Sequence, residues 1–227
     1  MNTCILMGGL GNQLFQIFTL IAYSINNNKF LLPEKLRDGD QRHTYWNNLL
    51  INLQKYISDT KLIKCYEYNE LNFHYNQIPF TDNNLVLNGY FQSYKYFDSQ
   101  WEQIFNIVGI NELINQTKTK YNNYFNKNYV ISMHFRLGDY VNKQDCHPVL
   151  DYEYYKKSID LIINQTNINN FDILYFCEEN DVQIVDLIIS NLQNKFSELK
   201  FIKIDFTIVD WEQMLLYALK IQKHQDI

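Results

Sequence analysis

Two basic side chains and one acidic side chain lie close together between residues 134 and 139. His134 and Arg136 alternate with the apolar Phe135, and Asp139 follows a glycine. A guanidinium offers a planar fork of donors to phosphate oxygens. A carboxylate beside a cation stays ionised and can accept a proton from a hydroxyl. The spacing predicts a phosphate-binding or acid–base site, although a buried histidine with a structural Arg–Asp ion pair fits the same pattern.

A glycine cluster near the amino terminus is the second candidate. Three of the seven glycines, Gly8, Gly9 and Gly11, precede Asn12 and Gln13. Such a turn lets a ligand approach the backbone at the N-terminus of a helix, where negative groups are favoured. The cluster lacks the Lys-Ser/Thr pair of P-loops and the third glycine of the dinucleotide fingerprint. A tight strand-to-helix turn without a ligand is the alternative.

The acidic pair Asp38 and Asp40 is spaced like a metal-binding pair, but no apolar strand precedes it. We interpret it as a solvated turn around Gly39. No other His, Asp or Glu spacing in the sequence is typical of a metal site, so we expect no metal. The four cysteines form no C-x-x-C pair, which argues against a zinc or thioredoxin-like site.

The composition indicates a folded globular protein. The chain has 227 residues, of which 46% are hydrophobic, and a net charge of -5. A chain with this charge offers no overall positive field to nucleic acid, so we expect no nucleic-acid partner. The sequence shows no signal peptide and no segment long enough to span a bilayer. We therefore expect a cytoplasmic protein, with room for peripheral association with a membrane.

The glycine cluster must be positioned by the elements on either side of it. Residues 4–7 are apolar and predict a buried strand, and apolar residues then recur with helical spacing from 14 to 25. A second buried strand is predicted at 85–91 and a helix at 99–107. A polar helical segment at 111–128 leads to a boundary, so we place an N-terminal Rossmann-like half at residues 1–125.

From residue 129 onward strands and helices alternate. Strands are predicted at 129–135, 171–176 and 201–206, with helices after Asp151, at 181–192 and after Asp210. Such a series builds a parallel sheet, and ligands bind at the carboxyl ends of its strands. The residues that follow the first of these strands lie at that edge. The C-terminal half, residues 126–227, is therefore predicted to carry the phosphate site.

These motifs together resemble glycosyltransferase family 11, the α-1,2-fucosyltransferases. Residues 8–16 resemble the opening segment of that family, and residues 134–140 resemble its H-x-R-x-G-D-Y motif. Residues 89–97 and 210–216 resemble two further family segments, in the same order. The resemblance covers nearly the whole chain.

The resemblance implies an α/β fold of the GT-B type, with two Rossmann-like halves whose parallel sheets face each other across a cleft. It implies an inverting enzyme that moves L-fucose from GDP-β-L-fucose to a sugar hydroxyl, such as the 2-hydroxyl of a terminal galactose. No metal or other cofactor is implied. The N-terminal half would be the acceptor side, with a glycan as partner, and the C-terminal half would bind GDP-fucose.

The resemblance also suggests roles for individual residues. Arg136 would stabilise the departing pyrophosphate, Asn12 would line the opposite wall of the cleft, and Asp139 is a candidate general base. These three form the predicted catalytic set. The predicted donor-binding residues are His134, Arg136, Gly9, Gly11, Asn12, Glu178 and Glu179.

The chain departs from the family at three places. Leu137 replaces a second arginine, and Glu178 and Glu179 stand where relatives carry a Ser-Asp-Asp segment. Relatives continue past residue 227, so we expect an incomplete second half whose apolar residues at 214–219 are exposed or covered by self-association. Two alternatives stay open: a GDP-sugar-binding remnant without turnover, and a non-enzymatic glycan-binding domain.

Overall fold

Two compact units, Met1–Leu113 and Ile114–Ile227, make up the chain. We describe them from a computed structural model that covers residues 1–25, 29–60, 62–125, 129–141, 144–145 and 148–218, without the side chains of Asp139 and Ala218. Each unit contains a three-stranded parallel sheet together with helices. The fold is therefore mixed α/β, as the alternation of strands and helices predicts.

The sheet of the first unit contains strands β1 (Asn2–Cys4), β2 (Cys65–Asn69) and β3 (Asn84–Asn88), in the order β1-β3-β2. Leu85 and Leu87 of the central β3 are fully buried. The strand predicted at 85–91 exists but ends at Asn88. The strand predicted at 4–7 begins two residues earlier and ends three residues earlier, at Cys4, and the sequence did not predict β2.

Helix α1 (Leu10–Ser24) follows β1 and the glycine turn, which confirms the predicted order of strand, turn and helix. Ile17, Phe18, Ile21 and Ala22 are buried, as their spacing predicts. Burial is nevertheless continuous from Gln16 to Ala22, so this part of the helix is enclosed on every side and not along one face alone. Helix α2 (Trp101–Val108) matches the predicted second helix and ends at a left-handed glycine.

The division between the units falls within helix α3 (Ile110–Lys120), between Leu113 and Ile114. The sequence places it later, at 125/126. The difference arises because three aromatic residues that follow α3 pack against the core of the second unit; they are Tyr121, Tyr124 and Phe125.

The sheet of the second unit contains strands β4 (Val130–His134), β5 (Asp172–Phe176) and β6 (Lys200–Lys203), in the order β4-β5-β6. All three strands match predicted ones, although β6 ends three residues before the predicted end at 206. The central β5 is buried along its whole length.

Helices lie on both faces of this sheet. Helices α4 (Tyr152–Thr166) and α5 (Val182–Lys195) pack with alternate residues of β5, Ile173 and Tyr175, in one core cluster. Helix α6 (Asp210–Ala218) packs with the intervening residues of β5 in a second cluster. The layered arrangement leaves the carboxyl edge of the sheet available for side chains that follow β4 and β5.

The predicted caps of these helices have different outcomes. Asp151 caps α4 as predicted, because its Oδ1 accepts a hydrogen bond of 3.0 Å from the N–H of Tyr154. Asp210 is instead the first residue of α6. Gln213 does not return to it, since the Gln213 amide donates to the carbonyl of Ile208 at 2.6 Å.

The sequence predicts an exposed apolar patch on α6, but the two leucines of this helix that the structure describes do not form one. Leu215 and Leu216 are buried, and Leu216 packs against Leu174 and Phe176 of β5. Leu219 lies outside the described residues. The second unit thus covers Leu216 with its own core. The burial of the two leucines does not support self-association through this half, which stays a prediction.

Candidate functional site

The carboxyl edge of the second sheet brings together residues that follow two neighbouring strands. His134 ends β4 opposite Phe176, which ends β5. The N–H of Phe135 donates to the carbonyl of Phe176 at 2.8 Å, so the segments that follow the two strands remain adjacent for one more residue. Arg136 follows Phe135 directly, and Glu178 lies two residues after Phe176. Both residues therefore extend from the same edge of the sheet.

Exposed and buried residues alternate beyond β4. Phe135 and Leu137 are buried, whereas His134 and Arg136 are exposed. The alternation follows from the extended backbone, which points successive side chains to opposite sides. The alternative of a buried histidine is therefore wrong, and both basic side chains can meet a ligand from solvent.

Arg136 lies over an aromatic ring. Its guanidinium carbon is 4.6 Å from the centre of the Tyr140 ring, within the range of a cation–π contact. Tyr140 belongs to the short 3-10 helix Gly138–Tyr140 that follows the edge. The ring limits the orientations of the guanidinium while leaving it accessible.

Glu178 lies against Gly138. A Cβ at residue 138 would be 3.1 Å from Oε2 of Glu178, so any larger residue there would crowd the carboxylate. The N–H of Gly138 donates to Oδ2 of the buried Asp181 at 3.2 Å. The turn after β4 is therefore tied to the turn after β5. This role of Asp181 cannot be predicted from the sequence, because a residue at a predicted helix start carries no signal for such a contact.

The pKa of His134 is lowered from its ordinary value. The main cause is partial desolvation of the ring by surrounding protein atoms, followed by the positive charge of Arg136, while the negative charge of Glu178 acts in the opposite direction. The three side chains therefore interact electrostatically, and the imidazole is mainly neutral at pH 7. A bound anion would favour its protonated form.

One other predicted donor-binding residue, Glu179, is not joined to this group within the described part of the chain. Among the described residues, no hydrogen bond or ion pair joins the exposed Glu179 to His134, Arg136 or Glu178. The side chain of Asp139, the candidate general base, lies outside the part of the chain that the structure describes.

The glycine turn of the first unit forms a second group. Gly8 adopts a φ of 81°, and the extended Gly9 precedes α1, whose first turn has neither an acidic residue nor a side-chain cap. A Cβ at Gly8 would collide with the side chain of Asn12, while nothing lies near Gly11. Asn12 accepts a hydrogen bond of 2.6 Å from the amide of Gln92, which follows β3.

Two buried amides fix the shape of this turn. The Gln16 amide accepts a bond from the N–H of Met7 and donates one to its carbonyl, both at 3.0 Å. The Gln13 amide donates to the carbonyls of Gly8 and His43, at 3.0 and 2.8 Å. The signal that could have identified them is their position: both are polar residues next to the apolar face of a predicted helix.

The predicted turn around Gly39 is confirmed, since the N–H of Asp40 donates to the carbonyl of Arg37 at 3.0 Å and Asp38 is exposed. Asp40 itself is only half-exposed, and its carboxylate has partners within the protein that the sequence does not predict. Its Oδ2 accepts a hydrogen bond of 2.6 Å from the N–H of Gly8, and its Oδ1 accepts one of 3.0 Å from the N–H of Arg42. These two bonds, the first most strongly, lower the pKa of Asp40, and the charges of Arg42 and Arg37 add to them. The carboxylate therefore belongs to the glycine turn.

The two groups lie in different units, with Asn12 and Asp40 in the first and His134, Arg136 and Glu178 in the second. The described residues contain no group of three or more His, Cys, Asp or Glu side chains arranged to hold a metal ion. Among the described helices, none is both long and apolar enough to cross a membrane. Comparisons of this chain with protein-family models, with curated proteins and with solved structures gave no match.

Proposed function

We propose that this chain is an inverting fucosyltransferase that moves L-fucose from GDP-β-L-fucose to a sugar hydroxyl of a glycan, such as the 2-hydroxyl of a terminal galactose. The observation that carries the proposal is the exposed pair His134 and Arg136, beside Glu178, at the carboxyl edge of a parallel sheet. The motifs that resemble fucosyltransferases contain the same two basic residues.

The donor diphosphate is assigned to the second unit. Ligands of parallel α/β sheets bind at the carboxyl edge, and a guanidinium is well suited to phosphate oxygens. Arg136 would stabilise the negative charge that develops on GDP as the bond to fucose breaks. His134, neutral in the free protein, would gain a proton beside the same phosphates.

The acidic Glu178 is suited to a different part of the donor. A carboxylate accepts hydrogen bonds from ribose hydroxyls or from the N–H groups of guanine, and it repels phosphate. Its carboxylate lies close to Gly138 and near enough to His134 to affect the pKa of that residue. We assign it to the nucleoside and leave Glu179 outside the donor site.

The first unit is assigned to the acceptor. In the proposed GT-B arrangement, the glycine turn and Asn12 would face the donor across a cleft. The carboxylate of Asp40 already occupies the N–H of Gly8, which disfavours a second anion there and favours an uncharged sugar. Asp139 is proposed as the base that takes the proton of the acceptor hydroxyl.

Incubation of the full chain with GDP-fucose and a panel of glycans tests the proposal. We expect a fucosylated glycan and an equal amount of GDP, both unchanged by EDTA. Release of neither product would contradict the enzymatic proposal. GDP binding without transfer to any glycan would favour a GDP-sugar-binding protein instead, and glycan binding that ignores GDP and survives Arg136→Ala would favour a glycan-binding domain.

A further inference from the structure

The two basic side chains lie on a short segment, residues 134–138, which we call the basic segment. β4 ends at His134, so the regular hydrogen bonds of the sheet hold only the beginning of this segment. Phe135 and Leu137 are buried in the core that α4 and α5 share with the sheet. The position of Arg136 between them depends on what holds the backbone at the two ends of the segment.

A buried hydroxyl holds the first end. The N–H of Phe135 is directed toward β5, and backbone groups alternate in direction along a strand. The carbonyl of His134 therefore faces away from β5. Because β4 is the outer strand of this sheet, no neighbouring strand of the described chain meets that carbonyl. The hydroxyl of Tyr155, on α4, donates to it instead, at 3.2 Å.

Tyr155 has little freedom to move away from this position. It is 4% exposed, and the centre of its ring lies 4.4 Å from that of Phe135, the next residue of the basic segment. Burial raises the pKa of Tyr155 to about 12, so the hydroxyl keeps its proton near neutral pH. One side chain thus contacts both the backbone and the buried side of the basic segment.

A buried carboxylate holds the other end. Oδ2 of Asp181 accepts a hydrogen bond of 3.2 Å from the N–H of Gly138. Asp181 is 8% exposed and lies immediately before α5, a helix that packs in the same core. Gly138 begins the short 3-10 helix that carries Tyr140, the aromatic ring over which Arg136 lies. The carboxylate is thereby linked to the guanidinium through two contacts.

We propose that Tyr155 and Asp181 are positioning residues for the donor: they hold the two ends of the basic segment, so that His134 and Arg136 are in place before the phosphates bind. This inference rests on the proposed function. A site whose groups are ordered before binding loses less conformational entropy when the ligand binds, so the same contacts give a higher affinity.

The charge of Asp181 distinguishes this role from a direct electrostatic one. A carboxylate near phosphates repels them, so by charge alone its removal would strengthen the binding of GDP. A positioning role predicts the opposite, because loss of the bond to Gly138 frees the turn that carries Tyr140. Asp181→Asn removes the charge and keeps an acceptor oxygen, so this variant should bind GDP at least as tightly as wild type.

Calorimetric titration of the full chain with GDP tests the proposal. Asp181→Ala and Tyr155→Phe should each weaken binding by about two- to ten-fold, since each variant loses one hydrogen bond. The control Tyr121→Phe removes a hydroxyl hydrogen bond to Glu212 in the same unit, and it should bind GDP like wild type. Circular dichroism melting gives the folded fraction of each variant, to which the affinities are referred.

Two further measurements separate positioning from a general loss of structure. In the Arg136→Ala background, Asp181→Ala should have no further effect on GDP affinity, because the side chain that it positions is absent. The increase of GDP affinity with falling pH, which we assign to His134, should be smaller in Tyr155→Phe than in wild type.

Four results would overturn the proposal. The first is GDP binding that Asp181→Ala leaves unchanged or strengthens. The second is an equal loss in the wild-type and Arg136→Ala backgrounds, which would give Asp181 a general structural role. The third is Tyr155→Phe with the affinity and pH dependence of wild type. The fourth, a wild-type chain that does not bind GDP, would contradict the proposed donor site as well, whereas the first three leave that site intact.

Discussion

The carboxylate of Asp40 accepts a hydrogen bond from the N–H of Gly8, with 2.6 Å between the two atoms. The residues are 32 positions apart, so a separate segment of the chain supplies a negative charge to the glycine turn. In phosphate-binding loops the backbone N–H groups of such a turn face the ligand. Here one of them already has an internal anion as its partner. This relationship supports the assignment of the donor phosphates to the second unit.

Asp40→Asn should reduce stability in a pH-dependent manner. The folded protein lowers the pKa of Asp40 below its ordinary value of 3.8. The carboxylate therefore contributes stability that is fully present above that value and is lost as the pH falls through the folded pKa. We expect the difference in Tm between wild type and Asp40→Asn to be constant near neutral pH and to shrink below pH 3.8.

The matched control for this prediction is Asp38→Asn. Asp38 is exposed on the same turn, and its carboxylate has no hydrogen bond among the described residues. The Tm of the Asp38→Asn protein should equal that of wild type at each pH. Equal behaviour of the two variants would show that the bond to Gly8 contributes nothing to stability.

Glu212→Ala should destabilise the second unit. The buried Glu212 carboxylate accepts bonds of 2.7 Å from Lys120 Nζ and from the Tyr121 hydroxyl, which ties α6 to the chain around the end of α3. Its loss leaves the Tyr121 hydroxyl without this acceptor, at a cost of about 1–3 kcal/mol in the free energy of unfolding. Urea denaturation measures this change.

A second acidic residue serves as the control for Glu212. Glu153 forms a surface pair with Lys156 at 3.3 Å, one turn away on α4. Exposed pairs of this kind contribute little, so Glu153→Ala should change the unfolding free energy by less than roughly 0.5 kcal/mol. A loss at Glu212 no larger than that at Glu153 would mean that the buried contact is energetically neutral.

Binding of GDP should become stronger as the pH falls, through His134. The free protein lowers the pKa of this imidazole from its ordinary value of 6.5, and a bound diphosphate would raise it. Binding then takes up a proton, so affinity rises as the pH falls through the pKa of His134 in the complex and levels off below its lower pKa in the free protein. Calorimetry at several pH values should show a smaller slope for His134→Asn than for wild type.

The comparison between the two proteins removes the titration of GDP itself, because the nucleotide is the same in both. Identical pH slopes would place His134 away from the phosphates. A slope of opposite sign would indicate that the neutral imidazole, rather than the imidazolium, contacts the donor.

Much of the architecture could be predicted from the sequence because its signals are local. The helical spacing of Ile17, Phe18 and Ile21, and the apolar run Ile173–Phe176 in β5, reflect burial that the residues themselves require. β2 has a weak pattern, since Tyr68 is its single buried residue. An edge strand with one buried side chain cannot be distinguished from a loop by periodicity.

The candidate site was predictable in part for the same reason. The exposed positions of His134 and Arg136 follow from the alternation of one extended segment. The bond of Asp40 to Gly8, and that of Asp181 to Gly138, depend on how distant segments dock. Such contacts leave no pattern in the neighbouring sequence, so the sequence predicts the turn around Gly39 but not the bond of Asp40 to Gly8.

Calorimetric titration with GDP of wild type, Arg136→Ala and the surface control Lys157→Ala is the most direct test of the central claim, that the donor binds at the carboxyl edge of the second sheet. We expect wild type and Lys157→Ala to bind GDP equally, and Arg136→Ala to bind it roughly ten- to a hundred-fold more weakly, as loss of a charged hydrogen bond of about 1.5–3 kcal/mol implies. The Tm should be unchanged, because Arg136 is exposed. Absence of GDP binding by wild type, or undiminished binding by a destabilised Arg136→Ala protein, would contradict the account.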